Sequence, residues 1–576
     1  MLARILRRAI LLSLLFGSAF SHADQRLDAA MDGIVTRLYA AFNADQLNAI
    51  TEGQLKPYIT PEDHVALATS YWTFDVNAPV VVSVMRHVKQ ETIPAWLPES
   101  GFTKTDLIVK NEECDYEVWQ KKFDAGHVAL GINGFDGHRF SYFVSVGPQT
   151  PGAEVKITNL APSEPPIGTM QDGSMIYIDW TELVVTECPD AIKGHLLLTT
   201  FRGRARECHL LGGFRETPHP SSTRPDQITL TWSEDPKSTQ NLLWRTSIAV
   251  KTGAARYHEK SATDAKPIEV AATYEAIDDR KLANDRVSHR FTAALRGLKS
   301  GTTYSYQVGD PETNTWSEEK DFTTAPEKSD TFSFVHLTDT HNREIAGKLL
   351  AAGYARAPKP SLVTISGDLV DFGLHRDCWD KLFAYLGEPI ARIPVIPSIG
   401  NHDDQDGLGP GTFLKQFALG APNFGDIPAE RACAVRYANA LFLVIPIGLN
   451  VEEIGKWMER ELAATDATWK FGIYHFPMYT TEEEYANEYP RQRAAWGSVF
   501  DKYHLDMMLT GHTHRYVRSG PLRDSKEVAS PNDGTVYLVS APGIYSTFDI
   551  TGNRLEFKSL DVNGTVKDEL TIDKTK

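Results

Sequence analysis

In the C-terminal part of this chain, five short apolar runs each give way within a few residues to His, Asp or Asn. Phe332–Leu337 leads into Thr338-Asp339-Thr340-His341, and Leu362–Ile365 into Ser366-Gly367-Asp368-Leu369-Val370-Asp371. Ile393–Pro397 leads into Gly400-Asn401-His402-Asp403, Trp469–Tyr474 into His475, and Leu505–Leu509 into Gly511-His512-Thr513-His514. Helix-like segments alternate with these runs, at Arg343–Arg356, His375–Ala391, Glu452–Thr465 and Arg491–His504, so α/β architecture is expected. Ligands of open α/β sheets bind outside the carboxyl ends of the strands, and five such ends can converge on one spot.

That spot would hold two carboxylates, four imidazoles and an amide oxygen. Imidazole with carboxylate suits Zn, Fe or Mn better than Ca. Seven ligands are too many for one tetrahedral ion. They suit two ions if one carboxylate bridges, and a two-metal site serves in-line displacement at phosphorus. Gly367, Gly400 and Gly511 let the backbone turn sharply and come close. Other conspicuous residues read as structural. His336 and His504 lie in or beside apolar runs and read as packed or surface histidines. Gly407–Gly411 reads as a flexible rim loop and Glu482-Glu483-Glu484 as solvated surface; Tyr479 and Tyr516 suit the substrate's flank or rim packing equally. No Gly-x-Ser-x-Gly elbow or phosphate-binding P-loop occurs, so serine-hydrolase and NTPase chemistries lack their residues.

The rest of the chain bounds the setting. Its 576 residues imply three or four domains. A net charge of −16 argues against gripping nucleic acid through bulk charge. Arg4, Arg7 and Arg8 precede the apolar run Ala9–Phe20, and Ser21-His22-Ala23 gives cleavage-type spacing, so residues 1–23 read as a secretory signal. The mature chain is then expected to be exported, periplasmic or secreted. No later run approaches the ~18 apolar residues of a membrane span. There are five cysteines and no Cys-x-x-Cys; Cys188 with Cys208 and Cys378 with Cys433 are the expected pairs, leaving Cys114 over.

Leu27, Met31, Ile34, Leu38 and Phe42 predict an amphipathic opening helix, and from about Asp63 short strand-like runs predict a β-rich region through residue 215 whose role the sequence does not reveal. These runs are Val80–Met85, Tyr116–Phe123, Phe140–Val146, Met175–Trp180 and Leu196–Phe201. Thr217–Ser222 reads as a linker. Residues 217–326 then predict a seven-stranded immunoglobulin- or fibronectin III-type sandwich, with Tyr304 placed as a corner tyrosine.

In that order, Asp-x-His, Gly-Asp-x-x-Asp, Gly-Asn-His-Asp, a solitary His and Gly-His-x-His resemble the calcineurin-like metallophosphoesterase superfamily, over residues 329–576. The sandwich with Gly301-Thr-Thr-Tyr304-Ser-Tyr306-Gln-Val-Gly-Asp310, together with His475-Phe-Pro-Met-Tyr479 and Gly511-His-Thr-His-Arg-Tyr516, resembles purple acid phosphatases back to about residue 217. The resemblance does not cover residues 24–215. It implies an α/β domain of two β-sheets flanked by helices. One ion (Fe, Mn or Zn) would take Asp339, His341 and His514, and a second Asn401, His475 and His512, with Asp368 bridging. His402 would act on the leaving oxygen, Asp403 would orient the His402 ring, and Asp371 would orient a ligand. Purple acid phosphatases carry a ligand tyrosine where this chain has Asp371 and a glycine where it has His341, so the purple chromophore is expected to be absent. The implied function is an exported dinuclear phosphoesterase that hydrolyses small phosphate esters by attack of a metal-bridging hydroxide, with monoesters ahead of diesters. The competing reading is a non-catalytic surface or binding protein built on β-sandwich modules.

Overall fold

The structure, a computed structural model, describes residues 22–575 apart from 138–139, 163–166, 179–182, 263–264, 405–407 and 482–488. The expected leader up to Ser21, the Glu482-Glu483-Glu484 run, Gly407 and the end of the Met175–Trp180 run lie outside the described residues. The chain divides into two compact units between Arg215 and Glu216.

The first unit opens with the helix His22–Ala41, whose Leu27, Met31, Ile34 and Leu38 are buried. The strand region begins later than the sequence suggests. Thr60 accepts from the Asp63 backbone N–H while the Asp63 carboxylate accepts from that of Thr60, and Pro61 stands in the first turn, so Pro61–Thr69 forms a capped helix. Strands follow from Trp72 and make a three-stranded and a nine-stranded sheet. In the larger sheet Val80–His87 pairs antiparallel with Asp115–Phe123, Val80 opposite Phe123 and His87 opposite Tyr116.

The second unit starts with a two-sheet sandwich. Among the described residues it has nine strands rather than seven; the short runs Ile268–Ala271 and Thr315–Trp316 pair at sheet edges. The Tyr304 hydroxyl accepts the Lys299 N–H at 2.9 Å, tying the turn to its strand. The Thr217–Ser222 stretch is not a free linker. Thr217 N–H donates to Asn284 Oδ1 at 3.0 Å, and Ser221 donates through N–H and hydroxyl to Asp285 at 2.6 and 2.9 Å.

The α/β part places two sheets face to face. The first has the order β3-β2-β1-β11-β12-β13: β1 is Thr331–Leu337, β2 Pro360–Ser366, β3 Val395–Ser398, β11 Ile544–Thr551, β12 Arg554–Asp561 and β13 Val566–Asp573. The second has the order β4-β5-β6-β7-β10-β8-β9: β4 is Cys433–Tyr437, β5 Ala440–Val444, β6 Trp469–Ile473, β7 Met507–Thr510, β8 Val517–Arg523, β9 Lys526–Glu527 and β10 Thr535–Val539. Strands β1, β2 and β3 run parallel, as do β5, β6, β7 and β10. Phe334 of β1 stacks on Phe548 of β11 at 4.2 Å and meets Phe442 and Phe471 of the facing sheet at 5.2 and 5.1 Å. This aromatic cluster is the centre of the core, and it aims the carboxyl ends of β1–β3 and β6–β7 at a common rim. Helices α1 (Glu344–Arg356), α2 (Arg376–Leu386), α3 (Gly411–Gln416), α4 (Val451–Ala463) and α5 (Pro490–Tyr503) complete the domain. Helix α2 ends before the predicted Ala391 because Gly387 turns left-handed (φ 56°) and Pro389 follows in a separate 3₁₀ turn.

All five cysteines are free thiols, against the expected pairs. Cys378 lies on α2 and Cys433 on β4, the edge strand of the second sheet, and both are buried.

Sandwich and α/β domain share a buried ionic knot. Asp380 of α2 receives Arg245 Nη1 at 2.7 Å and Gln227 Nε2 at 3.0 Å, and its other oxygen lies 3.5 Å from Arg376 Nε. Arg245 and Arg376 are held further by Asp226 and Asp285, each at 2.6 Å. Breaking a buried pair from one side leaves its partner's charge uncompensated. Asp380→Ala is therefore expected to lower unfolding free energy by roughly 3 kcal/mol. Loss of the exposed Glu344–Lys348 pair on α1 is expected to leave stability nearly unchanged, because solvent screens it. Urea unfolding of the two variants checks the contrast.

Candidate metal centre

The rim holds every donor expected from the sequence. One oxygen or nitrogen from each of Asp339, His341, Asp368 and His514 lies within 4.8 Å of the others, and Asp368, His475 and His512 form a second such group. Asp368 belongs to both. Asn401 joins the second group: its Oδ1 is 3.0 Å from His475 Nε2 and 3.1 Å from His512 Nδ1. In the first group, His341 Nε2 and His514 Nε2 are 2.9 Å apart, and His514 Nε2 is 3.4 Å from Asp339 Oδ1. Asp368 Oδ2 lies 3.2 Å from His475 Nε2 and 3.8 Å from His341 Nε2.

Neighbours outside the two groups fix which ring nitrogen faces inward. His475 Nδ1 is 2.9 Å from the Ser366 carbonyl and donates to it, which turns Nε2 toward Asp368. His341 Nδ1 meets Asp371 Oδ1 at 3.0 Å, which turns its Nε2 toward His514. Asp371 is itself braced, its N–H donating to Asn342 Oδ1 at 2.7 Å. His402 Nδ1 lies 2.7 Å from the Asp371 main-chain carbonyl, and the His402 N–H donates to Asp368 Oδ1 at 3.0 Å.

One expected role changes. Asp403 does not steer the His402 ring. Its carboxylate faces the backbone and accepts from the N–H groups of Leu369, Val370 and Gly400 at 2.9–3.2 Å, clamping the Asp368 loop to the Asn401 loop. The Asp371 carbonyl meets the ring instead.

The loops reach this arrangement through unusual backbone. Asp339, His341, Asn342, Asp368, His512 and His514 all have φ between 45° and 74°. Left-handed backbone costs an ordinary residue of order 1 kcal/mol and gathers at functional sites. Asp, Asn and His tolerate it best, so the types that can ligate are also the types that can adopt the turn. Two glycines serve through close approach. A Cβ at Gly400 would stand 2.2 Å from Asp368 Oδ1, and one at Gly511 would stand 2.0 Å from Thr338 Oγ1 and 2.2 Å from Asp339 Oδ2.

The electrostatics are those of a buried polar cluster. Burial pushes the Asp368 carboxyl up, but His475, His402 and His341 around it outweigh burial and hold it well below the usual carboxylate range. Burial opposes charge on His475, yet Asp368 lifts it to about 9. His512 is pushed down to about 3 by burial and by the charge of His475. Burial and the nearby Asp368 charge raise Asp403 to about 8. Two carboxylates, four imidazoles and an amide oxygen, converging in two groups with the His341 and His475 rings oriented from behind, form a donor set that fits two transition-metal ions.

Sequence reading did not single out Asn342 or the Ser366 carbonyl. Asn342 follows His341 directly and is of the type that favours left-handed backbone, a signal available in the sequence. A carbonyl partner carries no residue-type signal at all. Among the discounted residues, His336 is buried with Nδ1 3.0 Å from Thr364 Oγ1, and Tyr516 OH donates to Asp568 at 2.9 Å and lies 3.0 Å from Ser559 Oγ. The Tyr479 and Ser525 hydroxyls lie 2.8 Å apart.

Residues 332–516 match the calcineurin-like phosphoesterase family and residues 225–324 match the purple acid phosphatase N-terminal domain. The second unit therefore carries a calcineurin-like phosphoesterase domain behind a purple acid phosphatase N-terminal domain. An uncharacterized protein of Mycobacterium tuberculosis is 25% identical over 36% of this chain and 46% of its own length. The phosphoenolpyruvate phosphatase of Allium cepa is 26% identical over 45% and 56%. The Fe(3+)-Zn(2+) purple acid phosphatase 12 of Arabidopsis thaliana is 22% identical over 53% and 67%. The chain spans about half the length of the curated relatives it matches first. The solved purple acid phosphatase PPD1 from yellow lupin seeds shares the fold, with a TM-score of 0.54 and 15% identity over 87% of this chain and 93% of that one. That coverage is more than the second unit alone can supply, so the likeness of fold reaches into residues before 216, where the sequence resemblance stops.

Gly511→Ala is expected to push the Thr338–Asp339 turn away and at least halve the metal retained after reconstitution. Gly497→Ala, on α5 with open space around it, is expected to retain the wild-type content. Elemental analysis of the two dialysed variants decides.

Proposed function

We propose that this chain is an exported dinuclear phosphoesterase that hydrolyses small phosphate monoesters by direct in-line attack of an activated water. The observation that carries the reading is the complete donor set around the shared carboxylate Asp368. A non-catalytic binding protein has no need to hold six left-handed residues around such a cluster. The charged, apolar and small-residue pattern of residues 1–23 supports export.

Asp339, His341 and His514 would hold one ion and Asn401, His475 and His512 the other, with Asp368 common to both. When bound, such a pair supplies a nucleophilic water of lowered pKa and offsets charge on the phosphoryl oxygens. The chain's own residues do the rest. His402 is fixed through Nδ1 by the Asp371 carbonyl, which leaves Nε2 as the atom that passes a proton to the leaving alcohol oxygen. Asp403 holds the loops carrying Asp368 and Asn401 together, so their donors keep a common register. Asp371 sets the His341 ring from behind, a role that differs from tyrosine ligation and supports a centre without the purple chromophore.

A diester preference is the second reading. It is favoured by His341 and Asp371, which depart from the purple acid phosphatase pattern at the centre itself. With Mn, Fe or Zn restored, p-nitrophenyl phosphate is expected to be cleaved faster than its bis-ester; the reverse order would establish the diesterase reading. Asp368→Ala is expected to lose at least ~10³-fold in kcat together with its metal. His402→Ala is expected to lose ~10²–10⁴-fold in kcat while keeping its metal content. Wild-type turnover in Asp368→Ala would refute the site.

A further inference from the structure

The first donor group opens to water on one side. The side chains of Asp339, His341 and Asp368 are at most 3% exposed, whereas His514 is 43% exposed and Asp371, behind His341, is 39% exposed. Arg343 belongs to this open side. It is exposed, stands two positions beyond His341, and directly follows Asn342, which braces Asp371. Its charge reaches both open residues. Asp339 lifts His514 above the usual imidazole range, and Arg343 works against that lift. Burial pushes the Asp371 carboxyl up, but the His341 ring and then Arg343 pull it below the usual carboxylate range. Arginine also gains nothing structural at this position. Its side chain makes no cap bond to α1, and its charge opposes the helix dipole. In a chain of net charge −16, the Arg343 guanidinium makes no ion pair and no side-chain hydrogen bond among the described residues. A residue that breaks a local rule without structural return points to function.

We propose that Arg343 holds the terminal phosphoryl oxygen that a monoester has and a diester lacks, and so sets the preference for monoesters. The inference rests on the phosphoesterase reading and adds to it the residue that selects the class of ester. A monoester dianion carries one more negative charge and one more terminal oxygen than a diester. Arginine stays charged throughout the working pH range, and its planar fork matches phosphoryl oxygens. Esterifying the extra oxygen removes both its charge and its place in that fork.

The metal-loaded protein is compared with Arg343→Ala and Arg343→Lys on p-nitrophenyl phosphate and its bis-ester, which share a leaving group. In Arg343→Ala the ratio of kcat/KM, monoester over diester, is expected to fall about tenfold or more. Arg343→Lys keeps the charge but not the fork and is expected to restore part of the ratio. Equilibrium dialysis of inorganic phosphate against the same metal-loaded proteins gives a readout apart from turnover. Phosphate binding to Arg343→Ala is expected to weaken about tenfold. Metal content is expected to match the wild type, because Arg343 is not among the donors. An unchanged ratio, an equal loss on both esters or unaltered phosphate binding would overturn the proposal, and so would metal loss in the alanine variant. If the wild-type protein cleaves neither ester, the phosphoesterase reading has failed by itself. The phosphate dialysis then decides on its own whether Arg343 holds phosphoryl oxygens.

Discussion

A carboxylate enclosed by imidazoles organises the second unit. Asp368 is buried, accepts the His402 N–H, lies within 3.8 Å of ring nitrogens of His341 and His475, and stands in both donor groups. Enclosing a charge this way is costly unless partners surround it. Much of the surrounding architecture supplies partners or holds them in place. The parallel strands bring five loop starts to one rim, the Phe334 cluster fixes the two sheets against each other, and Asp403 pins the loop that carries the carboxylate.

The residues that cluster at the rim were legible in the sequence because chemistry and local structure leave the same mark there. An apolar run ending at Asp, His or Asn gives both the strand and the donor, as at Val335–His341 and Leu505–His514. The helices α1, α4 and α5 were legible to within two residues at each end. What failed depended on geometry rather than residue type. Asp403 looked like a partner for the neighbouring His402 ring, but the turn points its carboxylate at three backbone N–H groups instead. The helix at Pro61 was hidden because its signal is a reciprocal cap at Thr60 and Asp63, not an apolar stripe. The C-terminal hairpins β11 to β13 make half of the first sheet; sequence reading did not single them out, although Gly552-Asn553 and Asn563-Gly564 mark their turns.

The left-handed residues link these observations. A loop that must double back within two or three residues of a strand end, with its side chain aimed into the rim, has little other backbone to use. Glycine would take the turn and donate nothing, while a β-branched residue would do neither. The His-x-His pair at 512 and 514, with both residues left-handed, shows how narrow the choice is.

The ionic knot at Asp380 has a consequence for how this protein is inherited. Its carboxylate belongs to the α/β domain and a principal cation, Arg245, to the sandwich, with both side chains nearly inaccessible to water. A gene fragment encoding either half alone would lose the Arg245–Asp380 pair and expose a face built to be covered, leaving Arg245 with Asp226 and Asp380 with Arg376. Recombination between the two modules is therefore penalised at the level of folding, and the sandwich travels with its α/β neighbour as one heritable block.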